Sequence, residues 1–246
     1  MYHYLDDREF EHRMRGMAGE IMQSLCHRLK VEYDIGAIPK LVGSGRSNII
    51  LQNADEPVDL DYNLEILRYQ DINNGRELKE GVRKAFNEVL NEHRFGDCQD
   101  STSCLASPRI YFTRGNKTEF SIDVCITRRD EADCYHRLIH EKTGIAAYDR
   151  YYWNIVRNSA GLRKKEDYIK EHGKWMQLRE EYLKIKNEYL RRSSHTVCPG
   201  NTYVNLPSFV CYIEAVNNVC NQLNQQIRLQ SVCSWQQLQS GFRIML

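Results

Sequence analysis

The stretch Leu41-Val42-Gly43-Ser44-Gly45-Arg46-Ser47, followed by Val58-Asp59-Leu60-Asp61-Tyr62, decides how this chain is read. Side chains two apart on a β-strand share a face. Asp59 and Asp61 therefore project together, while Val58, Leu60, Tyr62 and Leu64 turn the other way, towards a core. Further along, Phe120-Ser121-Ile122-Asp123-Val124 repeats the alternation, with Phe120, Ile122, Val124 and Ile126 on the core side and Asp123 opposite. Three carboxylates on the open face of one sheet repel one another unless a cation lies between them, which points to a divalent metal site. Taken singly, a Gly-Ser-Gly triplet is an ordinary turn and an Asp-x-Asp an ordinary solvated strand face. Their order along the chain carries the information.

That order resembles the nucleotidyltransferase-fold superfamily, related to DNA polymerase β. The superfamily includes poly(A) polymerases, CCA-adding enzymes, oligoadenylate synthases, aminoglycoside nucleotidyltransferases and the minimal nucleotidyltransferases of bacteria. Val42-Gly43-Ser44 and Asp59-Leu60-Asp61-Tyr62 fit its signature, with residues 45 to 58 forming a long gap, and the third family carboxylate falls on Asp123. The resemblance covers residues 35 to 130 and implies an α+β fold, a nucleotidyltransferase-like mixed sheet flanked by helices and followed by a helical C-terminal subdomain. It also implies roles. Asp59 and Asp61 would bind two metal ions, Mg²⁺ or Mn²⁺, and Asp123 would bind the catalytic one and orient or deprotonate the acceptor. Gly43 and Ser44 would hold the β and γ phosphates of a nucleoside triphosphate, with Arg46 adding charge.

Composition sets outer bounds. At 246 residues, with 27% charged and 41% hydrophobic, the chain is long enough for one large domain or two small ones. No run approaches the ~20 apolar residues of a membrane span, and Met1 to Asp7 has neither a basic nor an apolar leader, so the expectation is a cytoplasmic protein. Nine cysteines without a Cys-x-x-Cys read as reduced thiols. Cys134, His136 and His140 lack zinc-finger spacing and read as scattered half-buried side chains.

A net charge of +1 argues against a protein dedicated to gripping long nucleic acid. Residues 1 to 67 carry twelve acidic against seven basic side chains, and residues 157 to 192 carry eleven basic against six acidic. An acidic, metal-binding first half facing a basic second half suits a triphosphate; a solvated basic helix face gives the same count.

Periodicity places helices over residues 7 to 30, 77 to 93, 175 to about 192, and from Pro207 or Ser208 onward. Strands are expected over residues 37 to 42, 57 to 67, 109 to 113 and 118 to 127, the last two as a hairpin around Arg114-Gly115-Asn116-Lys117, and over 135 to 142 with 151 to 156. Residues after Ser44 are expected to start a helix whose N-terminus faces a phosphate. The composition shift near Ser159 to Leu162 divides the chain into a catalytic domain, 1 to 160, and a helical domain, 161 to 246.

The expected function is metal-dependent transfer of a nucleoside monophosphate from a triphosphate to a small-molecule or protein acceptor, with release of pyrophosphate. No acceptor-binding block follows Asp123, so a nucleotide-binding module without transfer activity, a sensor or the neutralising half of a pair, is the alternative. An RNA-tailing enzyme comes third, against the near-neutral charge. Tyr151, Tyr152, Trp153, Trp175, Tyr182, Tyr203 and Tyr212 are candidates for base stacking, although most read as core. Lys142, Lys164 and Lys165 are candidate phosphate contacts. Alternation further predicts that Asp59, Asp61 and Asp123 converge on one point, that at least one has a raised pKa without metal, and that Ser44 lies on the rim of the same cleft.

Overall fold

Asp7 begins the first long element: its carboxylate accepts the Phe10 N–H at 2.9 Å and caps helix α1, Arg8–Glu32. The computed structural model describes residues 1–45, 50–54, 56–195 and 208–242, without the side chains of Ser44, 192–195 and 230–242. After the short strand β1 (Tyr2–Tyr4) and α1 come β2 (Gly36–Val42), a tight helical turn at Gly43–Gly45, β3 (Leu51–Asn53) and β4 (Val58–Arg68). Next are α2 (Gly75–Glu92), the two-residue strands β5 (Gln99–Asp100) and β6 (Leu105–Ala106), β7 (Phe120–Arg129), β8 (Tyr135–Glu141) and β9 (Arg150–Ile155). Helices α3 (Leu162–Glu171), α4 (Trp175–His195) and α5 (Ser208–Phe242) close the order.

Among the described residues seven strands form one mixed sheet, ordered β2-β4-β7-β6-β5, with β8 on the far part of β7 and β9 beyond it. β4 and β7 run parallel; their neighbours pair antiparallel. Alternation sends Leu60, Leu64, Phe120, Ile122 and Val124 into a core with Met14, Ile21 and Leu25 of α1 and Val82, Phe86 and Val89 of α2. A second cluster joins Leu162 and Ile169 of α3, Leu178, Tyr182 and Ile185 of α4, and Phe209, Tyr212 and Val216 of α5 to Val42 and Leu51. The architecture is α+β, a mixed sheet flanked by helices with a helical C-terminal part.

Two local expectations change. Arg109–Thr113 is no strand: a single bridge, Ile110 to Phe120, remains of the expected hairpin. The edge of β7 is taken instead by β6, with Leu105 opposite Val124 and Ala106 opposite Asp123, and the register slips by one residue across Pro108 and Arg109 before the Ile110–Phe120 bridge. The helix expected after Ser44 falls on residues 46–49, outside the described residues. Helix α3 is an element that periodicity does not single out.

Candidate active site

Parallel pairing of β4 with β7 puts Asp61 directly beside Asp123, and Asp59 beside Ser121. All three carboxylates line one pocket of about 230 Å³, together with Asn63, Ser103, Cys104, Cys125, Arg137, Lys186 and Ser208. The floor is the open face of the sheet; Lys186 comes from α4 and Ser208 from the first residue of α5. The Gly43–Gly45 turn packs against both α5 and β4. Gly43 has φ +61° and a Cβ there would stand 3.0 Å from Asp61 Oδ2 and 3.0 Å from Ser208 Cβ, so only glycine lets this turn approach the carboxylate closely.

Burial chiefly, with Asp59 adding like charge, pushes the Asp61 carboxyl up to about 6, while Lys186 and a hydrogen bond from Ser208 pull the other way. Asp123 is pushed up to about 8, again first by burial, then by its acidic neighbours Cys104, Asp61 and Asp59. Polar atoms are left unpaired here. Asp61 Oδ2, both amide atoms of Asn63 and Nε of Arg137 are buried with no hydrogen-bond partner among the described residues. Asn63 is fully buried and Arg137 nearly so, and orphaned groups of this kind carry a desolvation cost that a polar ligand would offset.

Asp59 differs from the other two. Its Oδ1 accepts from Arg109 Nη1 at 2.9 Å and from the Ser121 hydroxyl at 2.6 Å. Among the described residues no three Asp, Glu, His or Cys side chains are gathered closely enough to hold a metal ion by themselves. The expected convergence of three carboxylates is thus a close pair, Asp61 and Asp123, with Asp59 engaged by Arg109. Two hard oxygen donors, one of them an orphaned buried carboxylate oxygen, still fit Mg²⁺, which is held by one or two carboxylates plus substrate oxygens.

Ser44 lies in the Gly43–Gly45 turn by its backbone, and Arg46 falls outside the described residues. Of the candidate lysines, Lys165 donates to Asn217 Oδ1 at 2.6 Å in a neighbouring cleft, Lys142 donates to the Asp100 carbonyl, and Lys164 is exposed. Tyr182 and Tyr212 are buried core residues packed edge to face, while Tyr203 lies outside the described residues. Cys134, His136 and His140 do not come together as a metal site: His136 faces Asp130 at 2.9 Å, and His140 is held between Asp100 at 2.7 Å and Asp149 at 3.0 Å. Sequence reasoning missed Arg109, Arg137, Lys186 and Ser208, and it missed the cleft of about 1220 Å³ that shares Ser103 and Arg137 with the carboxylate pocket.

No protein-family model matches the sequence, and no curated protein matches it. Solved structures similar to the chain include CdnG, a CD-NTase of Bradyrhizobium diazoefficiens in complex with GTP, at 17% identity and a TM-score of 0.42, covering 62% of this chain and 41% of that one. The CdnE cyclic dinucleotide synthase of Elizabethkingia meningoseptica with GTP and Apcpp is 14% identical, with a TM-score of 0.44 over 85% of this chain and 69% of that one. Vibrio cholerae DncV, a cyclic AMP-GMP synthase, is 10% identical, with a TM-score of 0.45 over 81% of this chain and 65% of that one. The chain spans less than half the length of the CdnG structure. The site is accordingly read from its own residues.

Proposed function

We propose that this protein is a nucleotidyltransferase, moving a nucleoside monophosphate from a triphosphate to an acceptor hydroxyl with release of pyrophosphate. The observation that carries the reading is the Asp61–Asp123 register pair, set in a polar pocket with unpaired buried groups and faced by Lys186 and Arg137. Catalytic and binding roles follow from position. Asp61 and Asp123 would hold Mg²⁺ or Mn²⁺, which when bound neutralises the phosphate charge and polarises the α-phosphorus for attack. Asp59 is the reserve ligand, released only if Arg109 turns to the substrate.

The chain's own cations do complementary work. Lys186, beside Ser208 at the start of α5, meets the phosphates from the helical side, and Gly43 approaches Asp61 and Ser208 from the turn, which would bring the backbone of Gly43 and Ser44 to the phosphates. Arg137, buried with an unsatisfied Nε, lies where the pocket joins the wide cleft and bridges substrate and acceptor. Asp123, ionised when Mg²⁺ is bound beside it, would orient or deprotonate the acceptor hydroxyl. Acceptors are small molecules, including a second nucleotide, or a protein side chain; the 1220 Å³ cleft has room for one. The division into residues 1–160 and 161–246 is the domain organisation we propose, with the pocket between them.

The test is pyrophosphate release from each of the four ribonucleotides with Mg²⁺ or Mn²⁺, across an acceptor panel that includes a second nucleotide and candidate partner proteins. Activity that survives Asp59→Asn with Asp61→Asn at the original rate would place the chemistry elsewhere. The Arg109–Asp59 ion pair favours one second reading, a nucleotide-binding module that never turns over. Tight binding of ATP without AMP transfer after long incubation would select it.

A further inference from the structure

Extending the β6–β7 register by one residue beyond Leu105 and Val124 brings Cys104 opposite Cys125. The Ser107 N–H bonds to the Ile122 carbonyl, which makes 107/122 and 105/124 the hydrogen-bonded pairs of this ladder. The pairs 106/123 and 104/125 are then the close, non-hydrogen-bonded ones, with α-carbons typically ~4.5 Å apart. That spacing lies within the range of about 4.4–6.8 Å that a disulfide spans. By the same alternation both thiols share the face of Asp123, and each shifts the other's proton affinity, Cys104 upward and Cys125 downward. Both sulfurs are free and both residues line the carboxylate pocket; Cys104 is partly exposed, and its sulfur is 3.0 Å from the Ser101 hydroxyl.

We propose that Cys104 and Cys125 form a reversible oxidation site in the wall of this pocket, closing to a cross-strand disulfide when hydrogen peroxide reaches it. One sulfur attacks the O–O bond and becomes a sulfenic acid, and the first water leaves with that thiol's proton. The second sulfur then attacks the sulfenyl sulfur, the S–S bond forms, and the hydroxyl departs with the second thiol's proton as another water. Two electrons and two protons pass from the thiols to the peroxide. The new bond pulls Cys104 from Ser101 and draws in the 101–104 turn, whose Ser103 lies in the wall of both the pocket and the wide cleft. Oxidation therefore narrows the junction where substrate and acceptor would meet. This consequence rests on the transfer reading, but formation of the bond does not.

The experiment treats the full, reduced chain with hydrogen peroxide, alkylates the remaining thiols and reads the tryptic peptides by mass spectrometry without reduction. The expected product is the peptide holding Cys104 joined to the one holding Cys125, two hydrogens lighter than the separate peptides and separated again by dithiothreitol. Fragment ions must place the link on Cys104, because Cys98 lies in the same peptide. The inference is overturned if both thiols emerge alkylated while other cysteines are oxidised, or if the link falls on Cys98. Calorimetry with a non-hydrolysable ATP analogue supplies the second readout. A severalfold weaker affinity after oxidation, regained on reduction and absent in C104S, supports control of the pocket; a linked protein with unchanged affinity overturns it. A linked protein with no transfer in either redox state sinks the transfer reading and leaves the oxidation site standing.

Discussion

Asp61 and Asp123 are register partners on parallel strands, so two carboxyl groups share one partly buried pocket, balanced among the described residues by Lys186 and Arg137 at Asp61 and by Arg109 at Asp123. Both are raised, to about 6 and about 8. An acid with a raised folded pKa binds more protons folded than unfolded in the interval between its two values, so stability falls as pH rises through it. For Asp123 the interval runs from the ordinary carboxylate range to about 8. In EDTA, thermal unfolding should therefore move to lower temperature between pH 5 and pH 8. Asp123→Asn should flatten most of that slope, worth on the order of 1–3 kcal/mol once screening of a partly exposed group is allowed for. A flat profile in the unsubstituted protein would show that the two charges do not share the site.

Placement of the carboxylates was legible because alternation is a local rule: Asp59-Leu60-Asp61 and Ile122-Asp123-Val124 each fix their own faces wherever the strands lie. That β4 and β7 are neighbours was expected from the convergence of the carboxylates, but that they run parallel was not, since no local signal names the partner of a parallel strand. What closes the pocket was invisible for a related reason. Lys186 sits on a helix among ten other basic residues between 157 and 192, and only packing of α4 and α5 over the sheet turns it towards Asp61. Arg109 was hidden by reading residues 109 to 113 as a strand, which ignored Pro108.

Lys186 should matter to the triphosphate rather than to the fold. Its amine bonds the Ser208 hydroxyl at 3.2 Å and lies 4.4 Å from the Tyr2 ring centre, contacts that a methionine can replace in volume. Lys186→Met should weaken a non-hydrolysable ATP analogue roughly tenfold, the worth of one charge-assisted contact. It should also lower the salt dependence of binding, with little change in unfolding temperature. Unchanged affinity in calorimetry would remove Lys186 from the phosphate site.

Arg109 is a competitor for Asp59. The pair is half-exposed on both sides, with side chains 48% and 52% accessible, so it adds little to stability. Arg109→Ala should release Asp59 and lower the Mg²⁺ concentration for half-maximal pyrophosphate release by roughly two- to fivefold, the size such a pair commands. If the Mg²⁺ requirement instead rises, Arg109 serves the substrate and not the carboxylate.

Lys79 is a structural prediction away from the pocket. It is 2% exposed, meets Asp100 Oδ1 at 2.6 Å and donates to the Ser101 carbonyl at 2.8 Å. Through Asp100 it also ties His140 of β8 to the segment that leads into Ser103 and Cys104. Lys79→Met removes one charge of a buried pair and should cost about 3 kcal/mol in denaturant unfolding, the low end for such a break because His140 still bonds Asp100. A loss below 1 kcal/mol would mean that His140 alone satisfies Asp100.

Gly43 is where the sequence motif and the geometry can be tested together. Its φ of +61° is one that side-chain-bearing residues adopt at a cost of about 1–2 kcal/mol. A Cβ would also press on Asp61 Oδ2 and Ser208 Cβ, both at 3.0 Å, and the carboxylate oxygen there is the orphaned one. Gly43→Ala should therefore do two separable things. Stability should fall by about 1–2 kcal/mol from the backbone alone. Nucleotide affinity should fall further than that loss accounts for, because the methyl group occupies the approach to Asp61 between the turn and the start of α5. A useful control is Gly96→Ala, at φ +83° with open space around it, which should show the backbone cost without the loss of affinity. Equal behaviour of the two variants in calorimetry would mean that Gly43 serves the turn only, and that the Gly-Ser stretch has no part in holding phosphate.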